Sequence, residues 1–410
     1  MMREAPDDPR VGILGLGLMG LGIAQAAAAE GLRVTLVGRD AASADKGLSR
    51  LTMQLRRQVE RGRMSADAAT TLLGNVEAAH DDSALGECDV VIESVDEDRE
   101  VKIHALRRIE AAASEGALIA TNTSGLPIGG LARDFVRPER FLGLHFFSPV
   151  ERMRLVEVVH GVATSAEAVR IALAFVARLG KRPIVVRDRP GFFTSRVFAA
   201  YLDEALAMLG EGTPASLIEE AAIANGRALG PLAVLDEVGL RLNVQQGLQA
   251  RADDLEERFC RPLALPVLSR MLERGRGGRR DGGGFYDYPD AGAKSLWSGL
   301  AEAFPPALAP DRAALALRLA CVEAREALRC LEEGVIASAD DADAASLLGL
   351  GYPAKTGGVL AWVESFGLPA FVEACDQLAR NHGSRFAPSP FLRDLADRGE
   401  IPRLYKPTAP

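Results

Sequence analysis

The stretch VGILGLGLMG, residues 11–20, constrains the fold of this chain more than any other. Four apolar residues suited to a buried strand run into Gly15-x-Gly17-x-x-Gly20, and the alanine-rich AQAAAAEG that follows has the texture of a helix. A second apolar run, VTLV, closes the unit. Strand, glycine turn, helix and strand within about thirty residues make one βαβ unit. In that context the first glycine permits a tight turn, the second lets a backbone approach a pyrophosphate, and the third lets the helix pack closely on the strand. The helix N-terminus then offers N–H groups and a favourable dipole to phosphate. Gly15, Leu16, Gly17, Leu18, Met19 and Gly20 are the candidate dinucleotide cradle; the competing reading is a close-packed turn with no ligand.

The alternation continues. A long polar helical stretch is expected from Ala42 to Ala79, followed by the short apolar runs CDVVIESV, ALIATNTS and RFLGLHFF. This predicts an α/β Rossmann domain with a doubly wound, mostly parallel sheet covered on both faces. RPIVVRDRPG ends this half, with Pro190-Gly191 as the boundary. Beyond it the apolar spacing is helical and the chain echoes itself: EALAMLGEG at 204–212 returns as EALRCLEEG at 326–334, and GPLAVLDEVGL at 230–240 as GVLAWVESFGL at 358–368. Three domains are therefore expected, a dinucleotide-binding domain over 1–190 and two related all-α domains over 191–295 and 296–410. The glycine-rich turn GRGGRRDGGGFYDYP separates the two helical copies.

Composition narrows the function classes. A net charge of −8 with 25% charged residues gives no reason to expect nucleic acid or an anionic membrane as partner. The five cysteines are scattered without a C-x-x-C pair, so they are read as buried thiols in a reducing compartment, with neither a disulfide framework nor a metal site. The opening MMREAPDDPR carries acids and lacks an apolar signal region, and no apolar run is long enough to span a bilayer. A cytoplasmic location is expected.

The second strand ends without the acidic residue that hydrogen-bonds the ribose hydroxyls in NAD sites; Gly38 and Arg39 stand there instead. Losing the acid removes repulsion of a 2′-phosphate, and a guanidinium binds one with charge-assisted bonds. This leans toward NADP. Asp40 reaching the ribose, with Arg39 as a solvated loop residue, keeps NAD open. Further on, HFFSPVERMRLVEVV places His145 and Glu157 in an otherwise apolar run. Imidazole titrates near neutral pH and suits a general base, while a carboxylate on its far nitrogen fixes the tautomer.

GLGLMGLGIAQAAA, TNTSGLPI, GLHFFSPVERMRLVEVV, PGFFTSRVFAAYLDEA and GPLAVLDEVGL together resemble the 3-hydroxyacyl-CoA dehydrogenase family, in order and at family-like spacing. The second helical copy, ending GSRFAPSPFLRDLA, resembles the dehydrogenase half of the multifunctional α-subunits of bacterial fatty-acid β-oxidation. The hydratase half of those subunits is not in this sequence, so a stand-alone dehydrogenase is expected. The resemblance implies His145 as catalytic base, Glu157 as its paired carboxylate, and Ser124 near the substrate's 3-oxygen. It also implies Asn122, Glu97 and Lys102 beside the cofactor, and Arg280 as a basic residue closing over the cofactor from the helical domain. The stretch with Arg56, Arg57 and Arg61 resembles the element that contacts CoA phosphates.

Ser148 and Ser195 stand where much of the family has asparagine, as in some multifunctional members, and Arg241 stands where an aspartate is common. Ser195 is placed with the catalytic residues and Ser148 with the cofactor-binding ones. The implied activity is reversible hydride transfer between C3 of a 3-hydroxyacyl or 3-ketoacyl thioester, on CoA or a carrier protein, and NAD or NADP. Two alternatives stay open: an NADPH-linked reductase of a biosynthetic pathway, and a non-catalytic nucleotide-binding scaffold. A monomer and a homodimer are both compatible with the duplication, and a separate hydratase or thiolase is a candidate partner.

Overall fold

The computed structural model describes residues 8–307 and 311–405; most of the acidic amino-terminal stretch lies outside them. It divides into two compact units. One comprises the chain up to Phe192 together with Val335–Ala337, and the other runs Phe193–Gly334 and resumes at Ser338.

The first unit is built on an eight-stranded sheet of order β3-β2-β1-β4-β5-β6-β7-β8. Its strands are β1 (Val11–Leu14), β2 (Val34–Val37), β3 (Val76–Ala79), β4 (Val90–Glu93), β5 (Leu118–Thr121), β6 (Phe141–Phe146), β7 (Leu155–His160) and β8 (Arg182–Arg187). All neighbours are parallel except β6 and β7, which run antiparallel. Every residue of β1, β2, β4 and β5 is buried, as a sheet covered on both faces requires. On one face α1 (Leu18–Ala29), α2 (Ala41–Glu60), α3 (Ala66–Gly74) and α6 (Ala166–Arg178) share a core with Ile13, Leu36, Ile92 and Leu144. Alternate strand residues such as Val91 and Ile119 turn to the other face, where α4 (Arg99–Ala112) buries Ala105, Leu106 and Ile109. A one-turn helix, α5 (Ile128–Leu131), follows β5.

The stretch expected as one helical run from Ala42 to Ala79 is two helices and a strand. Asp40 caps α2, whose buried Ala44, Gly47, Leu51 and Leu55 recur at three- and four-residue spacing. Ser65 caps α3. Then Val76–Ala79 joins the open edge of β2, Val76 facing Val34. Only Val76 in VEAA is fully buried, so this edge strand leaves no apolar run in the sequence. At the opposite edge, Val335–Ala337 lies along β8, with Arg187 donating its N–H to the Val335 carbonyl at 2.8 Å and Val186 bridged to Ile336.

The second unit is helical: α7 (Thr194–Gly210), α8 (Ala215–Ala224), α9 (Pro231–Val238), α10 (Leu240–Ala252), α11 (Ala264–Glu273), the short α12 (Leu300–Ala303), α13 (Arg312–Glu332), α14 (Ala339–Gly349), α15 (Val359–Phe366), α16 (Leu368–His382) and α17 (Pro390–Arg398). A two-stranded hairpin, β9 (Tyr286–Asp287) and β10 (Ser295–Leu296), lies between α11 and α12. The sequence echo is a structural one. In the first copy Glu219 accepts the N–H of Leu232 at the start of α9 (2.8 Å), and in the second Asp343 accepts that of Leu360 at the start of α15 (2.7 Å). All five cysteines are buried as free thiols.

Candidate active site

The glycine turn sits between β1 and α1, where the strand order reverses toward β4 and ligands of such sheets bind. Gly15 has φ of +107°, and a Cβ there would stand 2.5 Å from the Ser94 backbone. A Cβ on Gly20 would meet the Gly15 carbonyl oxygen at 1.9 Å, so this glycine is the close contact of helix and turn. Gly17 differs: a Cβ there meets no protein atom within 4 Å. It is also the N-cap of α1 with no side-chain capping bond. The protein's own packing requires Gly15 and Gly20, whereas Gly17 keeps a cradle open beside a helix N-terminus, and the residues fit a dinucleotide pyrophosphate. Leu16 packs on Gly47 of α2, Leu18 is exposed, and Met19 is half-buried against the core. Arg50, which sequence reasoning missed, reaches the Leu16 carbonyl from α2 at 3.4 Å. Arg56, Arg57 and Arg61 are exposed on and just beyond the same helix.

At the end of β2, a Cβ on Gly38 would lie 2.3 Å from Ser43 Oγ and 2.7 Å from the Ala44 nitrogen, so α2 packs against the strand end only because this residue is glycine. Arg39 is 86% exposed, its Nε 3.8 Å from Asp40 Oδ2. Asp40 Oδ1 accepts the Ser43 N–H at 2.7 Å. That bond, the Ser43 hydroxyl and the neighbouring Arg39 hold its carboxyl below the usual range.

The antiparallel register of β6 and β7 sets His145 opposite Glu157. Their side chains meet at 2.7 Å, Nδ1 to Oε2, with the imidazole 9% and the carboxylate 0% exposed. With Nδ1 bearing the proton toward the carboxylate, Nε2 is the basic nitrogen. The ring packs on Phe147 (centroids 4.4 Å) and Phe192 (6.1 Å).

The ends of β4 and β5 add a polar chain. Lys102, 1% exposed, donates to Glu93 Oε1 at 2.9 Å and lies 3.3 Å from Glu97 Oε2. Thr121 Oγ1 donates to the other oxygen of Glu93 at 2.5 Å. Glu97 Oε1 accepts from Thr123 Oγ1 (2.7 Å), the Ser124 N–H (2.8 Å) and the Ser124 hydroxyl (3.1 Å). Burial pushes Glu97 upward, but the charge of Lys102 and these hydrogen bonds outweigh it and bring its carboxyl below the ordinary value. Asn122 takes the Phe146 N–H on Oδ1 at 2.9 Å, tying the end of β5 to the strand that carries His145.

Glu93 and Lys181 are the residues that sequence reasoning missed here. Glu93 was readable as an acid ending an apolar strand, but its partners are not. Lys181 Nζ donates to the carbonyls of Val150 (2.6 Å) and Met153 (2.7 Å), pinning the loop with exposed Ser148 and the cis Ser148–Pro149 peptide.

Two candidates belong to the second unit. Ser195 is half-buried in the first turn of α7, and Arg280 is exposed in the turn Arg279–Asp281. Arg241, at the start of α10, pairs with Asp281 at 3.2 Å and so braces the turn that bears Arg280. Asp236 receives the N–H groups of Phe285 and Tyr286, both at 2.8 Å, and holds the GGGFYDY segment to α9.

Known proteins share both halves. The sequence model for the 3-hydroxyacyl-CoA dehydrogenase NAD binding domain matches residues 10–189, and that for the family's C-terminal domain matches twice, over 191–288 and 315–406. The solved 3-hydroxybutyryl-CoA dehydrogenase of Escherichia coli K12 is 27% identical over 96% of this chain and 99% of its own, with a TM-score of 0.81. The (S)-3-hydroxybutyryl-CoA dehydrogenase of Ralstonia eutropha is 33% identical over 69% of this chain and 100% of its own, with a TM-score of 0.64. The dehydrogenase part of multifunctional enzyme 1 from C. elegans shares the fold, at 23% identity and a TM-score of 0.67 over 95% of this chain and 90% of that one. No helix among the described residues is long and apolar enough to cross a membrane. The chain belongs to the 3-hydroxyacyl-CoA dehydrogenase family and is an oxidoreductase of that family.

Proposed function

We propose that this protein interconverts 3-hydroxyacyl and 3-ketoacyl thioesters, with His145 as the acid–base and Glu157 as its partner. The observation that carries this reading is the 2.7 Å pair of a nearly buried imidazole and a fully buried carboxylate, set in one sheet with the glycine cradle. In the oxidising direction His145 Nε2 takes the proton of the 3-hydroxyl as the C3 hydrogen leaves with its electron pair. A nicotinamide coenzyme bound at the glycine cradle would supply the hydride acceptor. Glu157 stabilises the imidazolium and keeps Nδ1 protonated throughout, so the same ring returns the proton in the reducing direction. Ser124, fixed by Glu97, is the hydroxyl we assign to the 3-oxygen, and Asn122 with the Glu97–Lys102 pair would border the nicotinamide. Ser195 and Arg280 are assigned to substrate and cofactor from the helical domain, and Ser148 to the cofactor. The exposed arginines of the α2 region support a CoA thioester.

For the coenzyme we propose NADP, with Arg39 on the 2′-phosphate, because no carboxylate occupies the Gly38 position. One observation favours NAD: Asp40, held ionised beside Arg39, would face the same phosphate. The domain limits 1–190, 191–295 and 296–410 are kept as functional boundaries, and we place the enzyme in the cytoplasm, serving a separate hydratase or thiolase. The decisive experiment follows loss of reduced-nicotinamide absorbance with acetoacetyl-CoA, in parallel with NADH and NADPH. Turnover faster with NADPH supports a biosynthetic reductase with Arg39 in the coenzyme site, and turnover with NADH alone places the enzyme in β-oxidation. Tight coenzyme binding without turnover on any acyl thioester would leave a scaffold.

A further inference from the structure

The helical unit repeats its charges as well as its helices. Arg196, Tyr201, Glu204 and Glu211, on α7 and its cap, recur at identical intervals as Arg318, Glu323, Glu326 and Glu333 on α13 and its cap. Three of the four positions are the same residue, and they cross-pair reciprocally. Arg196 bonds Glu326 and reaches Glu333 at 2.6 Å, while Arg318 bonds Glu204 at 2.5 Å and Glu211 at 2.7 Å. Arg258 of the first copy adds to Glu333 at 2.8 Å and Arg385 of the second to Glu204 at 2.5 Å. Such a frame does not discriminate. Each copy carries the guanidinium and the carboxylates, so it would be satisfied by first against second copy or by two like copies.

The fourth position breaks the symmetry. Tyr201 of α7 corresponds to Glu323 of α13, and in the turns after α8 and α14 the pair Gly226-Arg227 corresponds to Gly351-Tyr352. Arg227 donates to Glu323 and to the Leu350 carbonyl at 2.6 Å. Its guanidinium carbon stands 4.8 Å from the ring centroids of both Tyr201 and Tyr352. Exposure is 8% for Arg227, 1% for Glu323, 3% for Tyr201 and 7% for Tyr352. Two first copies facing each other would set Tyr201 where Glu323 stands and strand two buried guanidinium groups without a carboxylate. Two second copies would bury two Glu323 carboxylates with no cation. An unpaired buried charge is strongly disfavoured, whereas the mixed pairing satisfies both.

We propose that Arg227 and Glu323, flanked by Tyr201 and Tyr352, are a pairing code on a surface otherwise indifferent to its partner: they commit the first helical copy to the second copy of the same chain and close this face to like-with-like association with another chain. A single buried polar position setting partner choice is a recognised use of such groups. The inference does not depend on the proposed activity.

The test exchanges residues between equivalent positions of the full chain. The half exchange, Tyr201→Glu with Glu323→Tyr, puts glutamate on the copy that already holds Arg227, so two first copies now complement each other across the seam, whereas in the mixed pairing Arg227 loses its carboxylate from the second copy and keeps only the residue beside it on its own copy. The full exchange adds Arg227→Tyr and Tyr352→Arg and rebuilds the same cluster in the opposite sense. Light scattering and thermal melts are expected to show the half-exchanged chain at twice the wild-type mass, and the fully exchanged chain at the wild-type mass and within a few degrees of its melting temperature. Loss of folding in the half exchange with recovery in the full exchange carries the same conclusion. A half-exchanged chain with unchanged mass and melting temperature, or a full exchange that recovers nothing, overturns the proposal.

Discussion

His145 and Glu157 face each other across the one antiparallel pair of the eight-stranded sheet, and their side chains meet at 2.7 Å where solvent scarcely reaches. The turn between β6 and β7 returns the chain so that a residue twelve positions on supplies the partner. Glu157→Gln keeps the volume but removes the charge that stabilises the imidazolium, and the amide can present an N–H to Nδ1 and impose the wrong tautomer. Turnover is expected to fall by ~10²–10⁴-fold. Steady-state rates with acetoacetyl-CoA, measured beside coenzyme affinity, should show the loss in kcat with coenzyme binding retained.

The fingerprint glycines separate by experiment. A Cβ at Gly20 collides with the Gly15 carbonyl oxygen, so Gly20→Ala is expected to destabilise the fold by about 1–3 kcal/mol. A Cβ at Gly17 touches no protein atom within 4 Å, so Gly17→Ala should melt like the parent protein while weakening coenzyme at least about tenfold. Equal coenzyme affinity in Gly17→Ala and the parent would show that the pyrophosphate does not lie over that position.

Lys102 governs the pH behaviour of Glu97. Burial alone would raise the Glu97 carboxyl, and Lys102 with the bonds from Thr123 and Ser124 brings it below its ordinary value. A carboxyl lowered in the folded state contributes stability that is present above its unfolded pKa and is lost as pH falls through the folded one. Lys102→Met removes the largest of the influences that lower Glu97, so the acid limb of the kcat/KM profile should move to higher pH, and the share of stability that Glu97 loses on acidification should shrink. A variant profile superimposable on the parent's would remove Lys102 from the control of this loop.

Tyr201 offers a test of packing without charge. Its hydroxyl is buried and has no hydrogen-bond partner among the described residues, while its ring lies against Arg227. Tyr201→Phe keeps the ring and removes the desolvated hydroxyl, so urea unfolding should find the variant as stable as the parent or about 1 kcal/mol more stable. A loss of that size would mean that the hydroxyl is satisfied by bound water.

Much of this architecture is legible in the sequence where a local pattern carries the information. The βαβ unit at residues 11–37, the buried runs of β4, β5 and β6, and the echo of the two helical copies are each short-range signals of burial and turn chemistry. Strand β3 is not, because an edge strand with one fully buried residue has no periodicity to read. The same limit applies to the site. His145 and Glu157 stand out as polar residues in an apolar run, but the buried Glu93–Lys102 pair and the grip of Lys181 on the β6–β7 loop depend on which strand ends the topology brings together. Gly38 reads in sequence as a missing acid, whereas in the fold its lack of a side chain is also what allows α2 to start where it does. The partner of Arg241, Asp281, lies forty residues on in the chain, so no local pattern carries that pair.

The most direct test of the central claim is His145→Gln, assayed for turnover of acetoacetyl-CoA with the preferred reduced coenzyme while coenzyme affinity is measured by fluorescence titration. A fall in kcat of at least ~10²-fold is expected, with coenzyme affinity within about twofold of the parent. A variant that turns over at near-parental rate would contradict that claim, and the proton of the 3-hydroxyl would then have to be handled by another group.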